Sequence, residues 1–161
     1  MNKLHPVQLK PYIVKVNNID TITNIASTLE TPLPICGTVA INEGGFTVNT
    51  TTHEITLPEH GMYSISGYIY ITEVSPPNNN VNAGVGLRVK LNGVQIMPTL
   101  QTSYMRDQSG DSETAEVIPY MAFDAAAGDV ISITTQIVSG PATANIAMNG
   151  TLNFLQIQKI Y

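Results

Sequence analysis

The chain has 161 residues, of which 43% are hydrophobic and only 12% charged, with a formal net charge of −5. That length supports one domain with a real core. The seven basic residues are scattered, which excludes the clustered Lys and Arg a nucleic-acid binder needs, and no segment approaches the roughly 20 apolar residues of a membrane helix. A surface solvated mainly by Asn, Thr, Ser and Gln tolerates contact with other protein.

Residues 1–34 differ in character from the rest. Pro6, Pro11, Pro32 and Pro34 bracket a polar stretch, "NNIDTITNIASTLE", with loose apolar spacing at Ile19, Ile22, Ile25 and Leu29. So few apolar groups form no core of their own, and the segment is expected to be an arm or anchor lying on another surface. "MNKLHPVQLKPYIVKV" has no apolar run of signal-peptide length, so synthesis in the cytoplasm is expected. Cys36, the single cysteine, sits among Ile35, Val39 and Ile41 as a small buried residue, with no neighbouring base to activate it.

From residue 35 on, strand signals dominate and the chain reads as all-β. Strands are predicted over residues 35–41, 45–49, 54–57, 62–74, 84–91, 94–100, 116–123, 130–138, 143–148 and 151–160. In "GMYSISGYIYITEV", Tyr63, Ile65, Ile69 and Ile71 point to one face, interrupted by Gly67. Ser64, Ser66, Tyr68, Tyr70 and Thr72 point to the other, a flat stripe suited to meeting another subunit. Asn92-Gly93 in "LRVKLNGVQI" is the preferred two-residue hairpin turn. Gly128-Asp129 and Asn149-Gly150 are read as further tight reversals. Pro76, Pro77 and the asparagines of "EVSPPNNNVNAG" form a protruding loop. In "TLNFLQIQKIY" both faces carry apolar groups, Leu152, Phe154 and Ile160 on one and Leu155, Ile157 and Tyr161 on the other. Such a strand needs a cover on each side, and the second cover is most simply a neighbouring chain.

Few constellations carry chemistry. His53-Glu54 and Glu59-His60 offer imidazole and carboxylate without the HExxH spacing, and read as surface residues near turns. Asp107, Asp111 and Glu113 in "RDQSGDSE" are candidate calcium ligands without the EF-hand order. No paired carboxylates, GxSxG elbow or phosphate-cradling loop is recognisable, so a non-enzyme without an obligatory cofactor is expected.

From Gly45 the order of elements resembles the TNF-like jelly roll, the superfamily of the complement globular head and tumour necrosis factor. "GGFTVNTTTHEITLPEHGMYSISGYIYI" is similar to its phenylalanine strand, short intervening strand and Gly-x-Tyr-x-(aliphatic) strand, carried by Phe46, Gly61, Tyr63 and Ile65. "LRVKLNGVQI" resembles the central hairpin, "AFDAAAGDVISITT" the strand preceded by Gly128 and Asp129, and "GTLNFLQIQKI" the carboxy-terminal strand. The closest flavour is microbial and viral, including phage head fibres, capsid decoration proteins and spore-surface filaments. The resemblance implies an antiparallel jelly-roll β-sandwich over residues 35–161, homotrimeric about a threefold axis. Tyr68, Tyr70, Leu155, Ile157 and Tyr161 would lie at the trimer interface. The expected role is a structural protein of the virion surface, attached to other virion proteins through residues 1–34. The alternative is a receptor- or glycan-binding head using Asn78, Asn79, Asn80 and Tyr104.

Overall fold

A computed structural model describes residues 12–17, 23–24, 29–73, 84–101, 113–139, 146–148 and 153–161. Among the described residues the chain forms strands and no helix. In order these are β1 (Ile13–Asn17), β2 (Thr23–Asn24), β3 (Thr31–Pro32), β4 (Thr38–Glu43), β5 (Thr47–Asn49), β6 (Glu54–Thr56) and β7 (Gly61–Glu73). They continue with β8 (Gly84–Leu91), β9 (Val94–Gln95), β10 (Leu100–Gln101), β11 (Glu113–Ala125), β12 (Val130–Ser139), β13 (Ile146–Met148) and β14 (Phe154–Lys159).

They form two seven-stranded sheets, and every pairing is antiparallel. The first sheet is organised on β7. One edge of β7 carries β11 from Gly61 to Thr72. Its other edge carries β14 and then β13, followed outward from β14 by β1 and β4. The second sheet runs β10, β8, β12, β6, β5, with β9 on β8 and β3 on β12.

Alternation in sequence becomes alternation in space. Tyr63, Ile65, Ile69 and Ile71 of β7 are fully buried and meet Leu87, Val89, Ile131 and Ile133 in one cluster. Gly67 interrupts the β7 series because β14 passes too close for a side chain. A Cβ there would lie 2.8 Å from the Phe154 carbonyl oxygen and 3.2 Å from side-chain carbons of Ile118 and Leu155. Tyr63 anchors the core at one end: its ring meets Phe46 edge-on and stacks on Phe123, and its hydroxyl donates to the Glu59 carbonyl at 2.8 Å. The polar tip of a buried tyrosine is thereby satisfied. Cys36 is fully buried, and burial pushes its thiol up to about 12, so it is no nucleophile.

Several expectations are corrected. The boundary at residue 34 does not hold, because β1 lies inside the first sheet between β14 and β4, with Val14 and Val16 fully buried. Likewise β3 pairs with β12, and Leu33 is buried while its N–H donates to the Ile133 carbonyl. The "IVKV" alternation of residues 13–16 is a strand signal hidden by the surrounding prolines. The strand expected over residues 35–41 begins only at Thr38, since Leu33, Ile35 and Cys36 fill the core as irregular chain. That expected over residues 94–100 is split at Pro98, which has no N–H for a ladder.

β13 and β14, expected to meet at a reversal, share one direction. Met148 faces Ile71 and Phe154 faces Tyr68, so the two run head to tail in one direction along the same edge of β7. The interruption leaves Tyr70 between two ladders. Asn153, 1% exposed, closes the gap by accepting the Tyr70 N–H on its side-chain oxygen. This makes Asn153 a substitute for missing strand. Asn153→Ala is expected to lower unfolding free energy by about 1–3 kcal/mol, the range for a buried donor losing its acceptor. Chemical denaturation checks this, and stability equal to wild type would remove that role.

Candidate assembly face

Directly opposed residues of an antiparallel pair share a sheet face, so the registers define the outer surface of the first sheet row by row. One row crosses five strands as Val117, Tyr68, Phe154, Asn17 and Thr38. The row on its other side from Tyr70 carries Ser66, Gln156, Lys15 and Ile41. The next carries Ala122, Ser64, Gln158, Ile13 and Glu43.

A bulge in β11 enriches this face. Ile118 opposes Gly67 and Met121 opposes Ile65, so Pro119 and Tyr120 together stand against Ser66. The extra residue lets both Ile118 and Met121 turn inward while Pro119 and Tyr120 remain exposed. Val117 is 60%, Tyr120 69% and Ile41 40% exposed. Lys15 lies over the Phe154 ring at 4.7 Å, so the one cation near the centre is spread on an aromatic surface. The side-chain oxygen of Asn17 is buried and lacks a hydrogen-bond partner among the described residues. Hydroxyls, amides and apolar rings thus form a broad, nearly uncharged face.

Of the residues singled out from sequence, Tyr68 and Tyr70 lie on this face and are half-buried. Tyr161 is 78% exposed at its end, its carbonyl accepting the Met62 N–H. Leu155 and Ile157 are corrected: at 1% and 0% exposure they face the chain's own core. They pair with Val16 and Val14 and so share the inward side of the sheet. The decisive signal is the polar alternation of Gln156 and Gln158 with them. Phe154, Val117, Tyr120 and Ile41 were not singled out. Asn78, Asn79, Asn80, Tyr104, Asp107 and Asp111 lie outside the described residues, and Glu113 opens β11 opposite Thr72. Among the described residues no group of three or more His, Cys, Asp or Glu is placed to hold a metal.

At one end of the sheet a polar clamp joins three separate segments. Glu59 accepts the Tyr12 hydroxyl at 2.7 Å and the Lys159 ammonium at 2.8 Å, and that ammonium stands 5.2 Å from the centre of the Tyr12 ring. Lys159 holds the Glu59 carboxyl below its usual range, with help from Tyr12. Hydrogen bonding to Glu59 raises both Lys159 and Tyr12. The nearby pair of His60 and Asp124, 3.7 Å apart, is exposed.

No family model and no curated protein matches this sequence. Solved structures match its fold. Eiger TNF from S. frugiperda superposes with a TM-score of 0.62 at 12% identity, covering 95% of this chain and 94% of that one. Murine APRIL at pH 8.0 gives 0.60 at 15% identity, covering 94% and 100%. The sandwich is therefore a TNF-like jelly roll.

The clamp generates a pH dependence. Because the Glu59 pKa is lowered on folding, its contribution is present above the ordinary carboxylate range and is lost as pH falls through the lowered value. Lys159 and Tyr12, both raised, contribute below their ordinary values and lose that contribution as pH rises through the raised ones. Thermal melts of wild type and Glu59→Gln should differ at neutral pH and converge below about pH 4. A difference that persists undiminished in acid would show the carboxylate is not its source.

Proposed function

We propose that this chain is a self-assembling structural protein, a homotrimeric jelly-roll head displayed on a virion surface as a head fibre or capsid decoration protein. The observation that carries this reading is the outer face of the first sheet. A monomer gains nothing by leaving Val117 and Tyr120 more than half exposed beside Tyr68 and Phe154 on a nearly uncharged surface. A subunit interface has that composition, with aromatic groups and few charges at its centre. Threefold closure follows the TNF-like resemblance, and heterologous contacts that close into a ring leave no open patch for further growth.

The rest of the reading follows from the same chemistry. Cys36 is locked away, no metal-binding group of side chains is assembled among the described residues, and basic residues are few. The proposal includes a non-catalytic role without cofactor, nucleic acid or membrane. Attachment to other virion proteins stays within the proposal, but not through residues 1–34 as a free arm, since β1 and β3 belong to the sandwich.

Light scattering on purified protein at low micromolar concentration is expected to give the mass of three chains. A folded monomer there would contradict the proposal. Val117→Asp places a charge on the exposed face without touching the core, and should weaken trimer association at least about tenfold while each chain stays folded. Val94→Asp, at a site 68% exposed on the other sheet, should leave association unchanged. Immunogold labelling should decorate the outside of the particles that carry the protein. Particles left bare would remove the virion assignment while leaving the trimer standing.

A further inference from the structure

The turn between β8 and β9 holds a chemical hazard and its restraint together. Asn92-Gly93 occupies it with φ of 52° and 79°, and a Cβ built on Gly93 meets nothing within 4 Å. An asparagine followed by an unhindered glycine is the arrangement most open to intramolecular deamidation. The glycine nitrogen attacks the asparagine Cγ, a Cγ–N bond forms and the Cγ–Nδ2 bond breaks. Nδ2 leaves as ammonia with the proton from the glycine nitrogen. Water then opens the cyclic imide to aspartate or isoaspartate, with no oxidant or reductant required.

In this fold the Asn92 side chain is tied at both ends to the segment that leads into β12. Its Nδ2 donates to Asp129 Oδ1 at 2.8 Å, and its Oδ1 accepts the Val130 N–H at 2.9 Å. The Asn92 N–H donates to the Val130 carbonyl at 2.8 Å. Asp129 is fixed in turn, its Oδ2 accepting the Ala126 N–H at 2.8 Å while its backbone carbonyl accepts the Leu57 N–H. The amide cannot swing toward the Gly93 nitrogen without giving up two hydrogen bonds, one of them to a carboxylate.

We propose that Asn92 is a deamidation site held in check by Asp129, so that native packing around the Asn92–Asp129 clip governs when this turn is chemically modified. Modification breaks the contact that restrained it. An aspartate at this position exchanges the donor facing Asp129 for a second carboxylate, and isoaspartate also lengthens the backbone of a two-residue turn. Either product opens the clip that joins the β8–β9 turn to the start of β12. The site is independent of the assembly face, which lies on the other sheet.

The test follows conversion of Asn92 by peptide mapping and mass spectrometry of the full chain at pH 8. It is expressed as a ratio to conversion of Asn149, the other Asn-Gly pair of the sequence. In folded wild type the ratio should be at least roughly tenfold below its value in urea, the factor matching about one charged hydrogen bond. Asp129→Ala should raise it toward the urea value under conditions where circular dichroism shows the variant folded. Asp129→Asn retains an acceptor oxygen and should fall between. Equal ratios in folded and urea-unfolded wild type overturn the proposal. So does a ratio in folded Asp129→Ala or Asp129→Asn that matches folded wild type.

Discussion

The structure depends on β7, a thirteen-residue strand hydrogen-bonded along both edges and buried on one face. Its register with β11 and β14 decides which side chains of three strands enter the core. A slip of one residue would turn Tyr63, Ile65, Ile69 and Ile71 outward together. Two local devices protect that register. Gly67 admits the Phe154 carbonyl where a side chain would block it, and Asn153 supplies an acceptor where the neighbouring ladder is interrupted. Both stand close to the point where β14 takes over from β13.

The same strand explains the outer face. Since the inward positions of β7 take the aliphatics and Tyr63, the outward ones are left with serines and tyrosines, and the cross-strand partners extend that character over five strands. The bulge at Pro119 and Tyr120 adds an aromatic group to this surface without disturbing Ile118 and Met121 beneath it. Pro119 also removes a donor from β11, which limits pairing with foreign strands. Under the proposed assembly, such a face and such a strand would favour closed association through the sheet surface over open growth.

Much of this was legible in the sequence because alternation is a local signal. The two faces of β7, the all-β class and the Asn92-Gly93 hairpin all rest on neighbouring residues. What was missed required long-range pairing. β1 is only five residues long, and its "IVKV" pattern acquires meaning when β14 and β4 flank it. Leu155 and Ile157 face inward although Phe154 and Ile160 make the opposite side of the strand apolar too, and only Gln156 and Gln158 mark that side as the outer one. Which side looks inward is settled by Val14, Val16 and Gly67. Asn153 resembles any loop asparagine until its side-chain oxygen is found on the Tyr70 N–H, between the β13 and β14 ladders. The Tyr12, Glu59 and Lys159 clamp joins residues about a hundred positions apart in sequence, beyond any motif.

Two groups of polar contacts stand where strands end. The Asn92–Asp129 clip and the Glu59 clamp are bridged by the segment from Leu57 to Gly61, so one end of the sandwich is fastened by charge and hydrogen bonding while its middle is fastened by burial. On the outer face Val117 and Tyr120 stay more than half exposed. Hydroxyl-radical footprinting of Tyr120 across a dilution series tests most directly whether a second copy covers it. The account predicts protection at micromolar concentration that disappears on dilution in step with the fall in mass. Tyr120 labelled equally at every concentration would contradict it.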